Sequence, residues 1–550
     1  MNNLLAHIKT KVAHGLQRKS ISSRFEWATK YRFMGPPFSG RYSAKYHPWV
    51  VDMHNTQAER NVGQKAAQMG YTEIMINTCF YEIDIGSKSC LYILPAQTPD
   101  ASDFSAARFD PALKMSPYLQ NLFSDVKNVG HKRAGTANLY IRGSRSRSGL
   151  KSIPAPIIIF DEKDEMNQAQ VILARERASG QLEKMEWAIS TPTINNFGIN
   201  ADYLDSTQEH FYFQCPACGK WTELVFPECL IITAEDHRDS DKLKESYLKC
   251  KECHVALQHA AKSEWLGSGQ WEASFAGRDT RGFYISQLYS PTVSPAELAY
   301  SYLKSLTGPA DEQEFFNSKL GLPHEVEGAR IKHEEIEACI GGHQNNNTTA
   351  RSGIVTMGID VGGQLHYEIV EWKPPQTSLG LEILPQVKGR VLAIGTVTEF
   401  HELDILMHKY QVTHAVIDAN PERRMARNFA LRFPGFVKIC LYGHGISGKR
   451  ISLGSENEYT VTVDRTSWLD TALGRFKDKT ILLPVDTPRQ YKDHISSLVK
   501  IYEKDKNDNP VARYVNGGQA DHFGHAHVYA EIGLVFALKF AEVLNVTGIF

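Results

Sequence analysis

Pro154-Ala155-Pro156-Ile157-Ile158-Ile159-Phe160-Asp161-Glu162 reads as a buried apolar strand that ends in two carboxylates. Four consecutive apolar residues, three of them β-branched, suit a strand covered on both faces, as in a sheet flanked by helices. Similar runs at Ile74–Ile76, Cys90–Leu94 and Trp187–Ser190 alternate with helical patterns between about residues 46 and 200. That alternation predicts an α/β domain.

Paired acids at the carboxyl end of a central strand suit nucleotide hydrolysis. The Asp holds Mg²⁺ and the Glu activates water. About ninety residues upstream stands Gly63-Gln64-Lys65-Ala66-Ala67-Gln68-Met69-Gly70-Tyr71-Thr72. A standard phosphate loop reads GxxxxGK[ST], with backbone N–H groups and a helix N-terminus around the phosphates. Here Gly70 and Thr72 keep the glycine and hydroxyl positions, while Tyr71 fills the lysine slot. Lys65 stands where the first glycine would be, and its long stem can reach the β- and γ-phosphates from that side. Ser190-Thr191-Pro192-Thr193, at the end of another apolar run, offers hydroxyls that could sense the γ-phosphate. Arg142-Gly143-Ser144-Arg145-Ser146-Arg147-Ser148-Gly149-Leu150-Lys151 is a basic loop suited to phosphate-backbone contact or to plain solvation. Arg108 and Arg142 are the candidates for an arginine acting on a neighbouring subunit's ATP.

Cys215-Pro216-Ala217-Cys218 and Cys250-Lys251-Glu252-Cys253 form two CxxC pairs about thirty residues apart. This spacing predicts a closed tetrahedral Cys₄ zinc site in an insert spanning 210–256. A loop of that size needs the metal to fold, and four thiolates leave no open position for zinc catalysis. Lys220, Trp221, Lys249 and Lys251 make DNA contact by the insert as reasonable as a purely structural clip.

The second half reads as another α/β domain. Met357-Gly358-Ile359-Asp360-Val361-Gly362-Gly363 is a strand with a lone acid in its outgoing half, within a strand predicted over Ile354–Val361. A further strand, Tyr367–Trp372, follows it. Ala415-Val416-Ile417-Asp418-Ala419-Asn420 repeats the arrangement. Two acids at neighbouring strand ends, completed by one on a late helix, can hold two divalent ions about 4 Å apart for in-line phosphodiester cleavage. Asp521-His522-Phe523-Gly524-His525-Ala526-His527 opens the last helix, predicted from about 521 to 543. Asp521 and His525 are one turn apart and could share an ion. Imidazole there would tilt preference toward Mn²⁺ over Mg²⁺.

At 550 residues the chain holds two or three domains. The expected limits are a lead-in over 1–45, a first domain over 46–335, a linker over 336–352 and a second domain over 353–550. Gly341–Thr349, poor in apolar residues and rich in turn formers, marks the linker. A net charge of −1 leaves nucleic-acid contact to local basic clusters. The lead-in carries Lys9, Lys11, Arg18 and Lys19 and no secretory leader is expected. Ile532–Val543 is too short to span a membrane and contains Lys539 and Glu542. Cys79, Cys90, Cys229, Cys339 and Cys440 show no disulfide rhythm, which suits a reducing compartment.

Gln64–Glu73, Asp161-Glu162 and Ser190-Thr191-Pro192 together resemble the large terminase subunit of tailed bacteriophages, in its lambda gpA-like branch. The displaced loop lysine, Arg281–Pro291 and Phe316–Pro323 match that branch, and the resemblance runs over roughly residues 40–535. It implies a P-loop (RecA/ASCE-like) ATPase domain with a Cys₄ zinc-ribbon insert, followed by a ribonuclease-H-like nuclease domain. The implied activity is ATP-driven pumping of double-stranded viral DNA into an empty capsid, with cutting of concatemeric DNA. The implied cofactors are ATP, Mg²⁺ or Mn²⁺, and Zn²⁺. The implied partners are a small terminase subunit, the portal protein and further copies of the chain in a ring, in the host cytoplasm. Lys65, Gly70, Tyr71 and Thr72 would bind nucleotide, Asp161 the metal and Glu162 the water. Asp360, Asp418 and Asp521 would hold the nuclease ions. The family pattern puts its helix acid at His525, whereas chemical type favours Asp521, with His525 as an auxiliary ligand. A helicase-like or recombination ATPase with a degenerate nuclease domain, or a zinc-ribbon DNA-binding protein without turnover, would share parts of this pattern.

Overall fold

The computed structural model describes residues 21, 23–124, 126–145, 147–150, 153–348, 353–373, 384, 386–443, 451–453 and 459–547. Lys9, Lys11, Arg18 and Lys19 of the lead-in lie outside them. The chain forms two compact units, Met1–Val326 and Glu327–Phe550. The break therefore falls ahead of the stretch read as a linker, and that stretch belongs to the second unit. Gly341 N donates to Leu483 O and Asn347 N to Leu392 O, while the amide of Asn345 both donates to Ile394 O and accepts from Ile394 N. Its polar composition reflects side chains that satisfy a strand's backbone, not a free tether. Thr349 lies outside the described residues.

In the first unit, β1 (Arg60–Lys65), β2 (Cys90–Leu94), β3 (Ala137–Gly143), β4 (Ile157–Asp161), β5 (Met185–Ser190), β6 (Glu209–Gln214) and β7 (Thr280–Ile285) run parallel. Their order is β6-β7-β1-β5-β4-β2-β3, within an 11-stranded sheet extended by short antiparallel strands at both edges. All five residues of β4 are buried, as a strand covered by helices on both faces requires. Helix α1 (Val50–Asn55) leads into β1, and α2 (Tyr71–Asp84) follows it. Ile74–Ile76, expected as a strand, lies inside α2. That helix is buried on nearly every side, so its apolar residues run consecutively and hide the 3.6-residue period. β7 ends at Ile285, and Gln287–Tyr289 form a 3₁₀ turn.

Between β6 and β7 the chain leaves the sheet. It builds a small antiparallel sheet from Leu230–Ile231, Tyr247–Lys249 and Ala256–Leu257. It returns through Gln270–Ala273, which pairs antiparallel with β6 and closes the excursion at its base.

The second unit is built on an 8-stranded sheet of β8 (Ile354–Val361), β9 (Leu365–Lys373), β10 (Lys388–Val397), β11 (His414–Asp418), β12 (Val437–Gly443), β13 (Ile451–Leu453), β14 (Thr460–Asp464) and β15 (Ile481–Leu482). The order is β13-β14-β12-β11-β8-β9-β10-β15. β8, β9 and β10 form an antiparallel meander, while β11 pairs parallel with both β8 and β12. The unit also contains helices α3 (Phe400–Lys409), α4 (Arg423–Arg432), α5 (Arg465–Lys477), α6 (Arg489–Ser496) and α7 (His522–Thr547), and a hairpin of Leu498–Lys504 with Pro510–Asn516.

Helix α7 lies against β8 with almost no space between them. A Cβ on Gly358 would meet Ala526 O at 1.9 Å and Ala530 N at 2.3 Å, so only glycine fits there. Thr356 Oγ1 donates to Ala530 O at 2.8 Å. A bidentate pair also fixes the helix: Arg475 Nε and Nη2, from α5, donate to the two carboxylate oxygens of the fully buried Glu531. Among the described residues, no helix is long and apolar enough to cross a membrane.

Candidate active sites

In the first unit the chain turns from β1 to α2 through two left-handed residues, Gln68 (φ 59°) and Gly70 (φ 83°). Helix α2 starts directly after Gly70 with no side-chain cap. Glu73 N and Ile74 N donate to Gly70 O, whereas Tyr71 N and Thr72 N have no backbone acceptor among the described residues, which is the chemistry that receives an anion. The start of the loop is held from behind: Ala66 N donates to Ile285 O and Ala67 N to Ser318 O, and Gln287 Nε2 donates to Ala67 O. Gly321 (φ 66°) lies so near that a Cβ would meet Ala66 N at 2.5 Å.

Lys65, the last residue of β1, is 5% exposed. Its Nζ lies 3.2 Å from Glu162 Oε1. Glu162, just past β4, adopts a left-handed backbone (φ 59°, ψ 53°), which costs a non-glycine residue on the order of 1 kcal/mol or more. Its other carboxylate oxygen accepts from Ser190 Oγ at 3.4 Å. Asp161, at the end of β4, is buried, and its Oδ2 accepts from Tyr92 Oη. Its Oδ1 has no hydrogen-bond partner among the described residues. Burial and the adjacent Glu162 raise the Asp161 carboxyl to about 6, against the pull of Lys65. A buried carboxylate with one vacant oxygen suits a cation.

Tyr71 does not share this setting. Its ring is buried against β1, so close that a Cβ on Gly63 would lie 2.7 Å from Tyr71 Cδ2. Its hydroxyl is buried with no partner among the described residues. The expected nucleotide-binding role can therefore belong only to its backbone, because its side chain is part of the core. Thr72, one residue on, is partly exposed at the first turn of α2. Arg108 Nη2 pairs with Glu73 Oε1 at 2.8 Å in its own unit, and Arg142 Nη1 donates to Gly130 O and Ile141 O. Of the basic loop, Ser146 and Lys151 lie outside the described residues.

Asp164 was not singled out by the sequence, although it lies within the same acidic run. It is buried and accepts from Thr193 N (2.8 Å) and Ile199 N (2.6 Å), while its own N–H donates to Ser190 Oγ. It ties the segment after β4 to the Ser190–Thr193 turn after β5.

The four cysteines of the insert converge. The sulfurs of Cys215, Cys218, Cys250 and Cys253 lie within 4.8 Å of one another. The two knuckles share one backbone geometry: Gly219 N donates to Cys215 O and His254 N to Cys250 O, with positive φ at both Gly219 and His254. Four sulfurs with one geometry on two equivalent turns fit a tetrahedral Zn²⁺ site.

In the second unit, Asp360 on β8 and Asp418 on β11 stand at matched positions, one step past the parallel pair Ile359 and Ile417. Burial, and then the neighbouring Asp360, raise the Asp418 carboxyl to about 6. Asp418 Oδ1 accepts from Asn420 N. Asp521 pairs with His525: Oδ2 lies 3.3 Å from Nε2, and Tyr442 Oη lies 2.9 Å from His525 Nδ1. His525 also bears electrostatically on Asp418.

The donors that meet at Asp360 are different ones. His522 Nδ1 lies 2.8 Å from Asp360 Oδ2, and His366 is the cross-strand partner of Asp360 on β9. Donor atoms of Asp360, His366 and His522 lie within 4.8 Å of one another, and neither Asp418 nor Asp521 belongs to that group. His366 was missed by the sequence reading. The signal that could have found it is Gly362-Gly363, a turn pair that folds β8 onto β9 and sets residue 366 opposite 360.

Two family models match the chain. One, described as "Phage terminase large subunit gpA, ATPase domain", matches residues 37–271. The other, "Terminase large subunit gpA, endonuclease domain", matches residues 280–415. The chain is similar to the terminase large subunit of Enterobacteria phage P21, with 21% identity over 390 residues, 63% of this chain. It spans 59% of that curated relative's length. Among solved structures it is similar to the large terminase of bacteriophage HK97, with 10% identity, a TM-score of 0.49, and 93% and 99% of the two chains covered. It is also similar to the large terminase ATPase domain of Thermus phage P74-26, with 12% identity, a TM-score of 0.31, and 52% and 94% covered.

Proposed function

Since the chain belongs to the phage terminase large subunits of the gpA type, we propose that its first unit hydrolyses ATP to drive double-stranded viral DNA into a procapsid and its second unit cuts concatemeric DNA. The observation that carries the reading is the meeting of Lys65, Asp161 and Glu162 at one end of a parallel sheet, beside an uncapped helix start.

In this reading the N-terminus of α2 and the Lys65 amine take the β- and γ-phosphates. Drawing Lys65 onto phosphate releases Glu162, which then accepts a proton from the attacking water. Ser190 holds the second oxygen of Glu162 and so links the water to the turn after β5. Thr72 Oγ1 and Asp161 Oδ1 would hold Mg²⁺, which would supply positive charge beside the phosphates. The low exposure of Asp161 keeps that site dry, where charge interactions are strongest.

In the second unit Asp360 and Asp418 supply carboxylates at adjacent strand ends. Asp521 orients His525 toward Asp418 instead of joining Asp360. These carboxylates would hold divalent ions, which would supply Lewis acidity for phosphodiester hydrolysis. The four cysteines hold Zn²⁺ as a structural clip that closes the insert on β6. The small terminase subunit, the portal protein and further copies of the chain are the partners that this function requires, in the host cytoplasm.

The test is DNA-stimulated ATPase and plasmid cleavage on wild type, Glu162→Gln and Asp360→Asn, with zinc content measured on wild type and Cys250→Ser. Each acid variant should lose one activity and keep the other, and the serine variant should lose the zinc. A wild type without ATP turnover, or loss of both activities in both variants, overturns the two-centre reading. A zinc-ribbon DNA-binding protein predicts the first of those results. A helicase-like enzyme with a degenerate nuclease predicts no Asp360-dependent cutting.

A further inference from the structure

We propose that one divalent ion of the second unit is held by Asp360, His366 and His522, so that two of its three protein ligands are imidazoles. The inference rests on the nuclease reading for the ion's role, and on geometry for its ligands. β8 and β9 form an antiparallel hairpin in which Asp360 and His366 are direct partners, so their side chains leave the sheet on one face. His522, in the first turn of α7, comes over the hairpin turn to Asp360. It fits because Gly362 has no side chain: a Cβ there would lie 3.3 Å from His522 Cε1.

The His366 and His522 rings stack with centroids 4.5 Å apart and planes 18° apart. Donor atoms around one ion at about 2.1 Å can be up to about 4.2 Å from each other. A cluster already within 4.8 Å needs only a small side-chain shift to close on an ion. Asp360 Oδ2 and His522 Nδ1, at 2.8 Å, are within that limit as they stand. His366 and Asp360 are buried, and the Gln364 backbone lies close enough to bear on the His366 ring. His522 is the partly open member, leaving a side for water or phosphate oxygen. His494 packs behind both rings but accepts from Phe523 N, so it positions the cluster and is not counted as a ligand.

One carboxylate with two imidazoles is a donor set for Mn²⁺, Fe²⁺, Co²⁺ or Zn²⁺, whereas Mg²⁺ favours oxygen donors. A second description of the same atoms is a plain His522–Asp360 ion pair that takes no metal. The two differ in whether nitrogen is bonded to the ion.

The experiment uses the tag-free full chain loaded with one equivalent of Zn²⁺, which fills the four-thiolate cluster and leaves the Asp360 site open, then titrated with Mn²⁺ and read by electron spin resonance and spin-echo modulation. The expected result is bound Mn²⁺ with ¹⁴N modulation from coordinated imidazole, and affinity at least about tenfold weaker in His366→Ala and in His522→Ala. The modulation should vanish in the double variant. Bound Mn²⁺ without ¹⁴N coupling in the wild type, unchanged affinity in the double variant, or no Mn²⁺ uptake would each overturn the proposal. The wild-type spectrum decides the matter even if a variant misfolds. Plasmid cleavage that requires Asp360 alongside a nitrogen-free Mn²⁺ spectrum would sink this ligand set and leave the nuclease reading standing. The ¹⁴N signal without any DNA cutting would do the reverse.

Discussion

Tyr71 occupies the position where phosphate loops usually carry lysine, yet its ring is 1% exposed and packed on Gly63. The structure therefore gives different expectations for three replacements. Tyr71→Phe removes a hydroxyl that is buried without a hydrogen-bond partner among the described residues. Leaving such a group unpaired costs about 1–3 kcal/mol, so the variant should match or exceed wild type by about 1 kcal/mol, roughly a 2 °C rise in the first unit's transition. ATP turnover should stay at the wild-type level. Tyr71→Ala should cost about 3–5 kcal/mol, the range for emptying a buried aromatic site. Tyr71→Lys, which restores the standard motif on paper, puts an ammonium in the same apolar pocket and should be at least as damaging. The decisive assay places Tyr71→Lys on a Lys65→Ala background and measures DNA-stimulated ATP hydrolysis beside thermal unfolding. No recovery of turnover is expected. Turnover restored toward wild type, or a tenfold loss of activity in Tyr71→Phe, would refute the assignment of this side chain to the core.

Gly358→Ala drives a methyl into the backbone of α7 at 1.9 Å from Ala526 O; overpacking of about 1–3 kcal/mol or more is expected, with cleavage falling further than ATPase, and an equal fall in both would count against the close approach. Glu531→Gln leaves Arg475, itself 3% exposed, without its charge partner, which should cost the second unit about 3–5 kcal/mol in urea unfolding; a loss under about 1 kcal/mol would show that the pair is solvated. His54 on α1 is buried, and burial holds its imidazole down to about 4. The unfolded chain then binds more protons between pH 6.5 and 4, so this contribution is complete above pH 6.5 and disappears as the pH falls to 4, on the order of 3 kcal/mol. Denaturant unfolding at pH 7 and pH 4.5 should show a smaller acid loss in His54→Gln than in wild type, and equal losses would contradict it.

Much of the frame was legible because its signals are local. Ile157–Phe160 is apolar enough to be a covered strand, and the acids that follow must then sit at its end. Lys65 closes β1, and each CxxC spacing sets two sulfurs on one turn, so that two such turns signal a four-sulfur cluster. What stayed hidden depends on neighbours distant in sequence. The packing of Tyr71 follows from Gly63 leaving room on β1, which no periodicity reveals. The fully covered α2 reads as a strand at Ile74–Ile76 because its polar face is missing. Asp521 looked like a partner for Asp360 by charge type, whereas the first turn of α7 points His522 there and leaves Asp521 to His525. The polar Gly341–Thr349 stretch looked like a tether because composition alone does not show that Asn345 bonds the backbone of Ile394 on β10.

The β8–β9 hairpin also has a consequence for lineage. Asp360 and His366 face each other only because Val361 pairs with Leu365 across a three-residue bend, Gly362–Gln364. Inserting or deleting one residue in that bend would turn every later side chain of β9 to the opposite surface. The interval Asp-x₅-His is therefore a fixed spacer, and kindred chains that share this imidazole should keep its length even where the intervening letters drift.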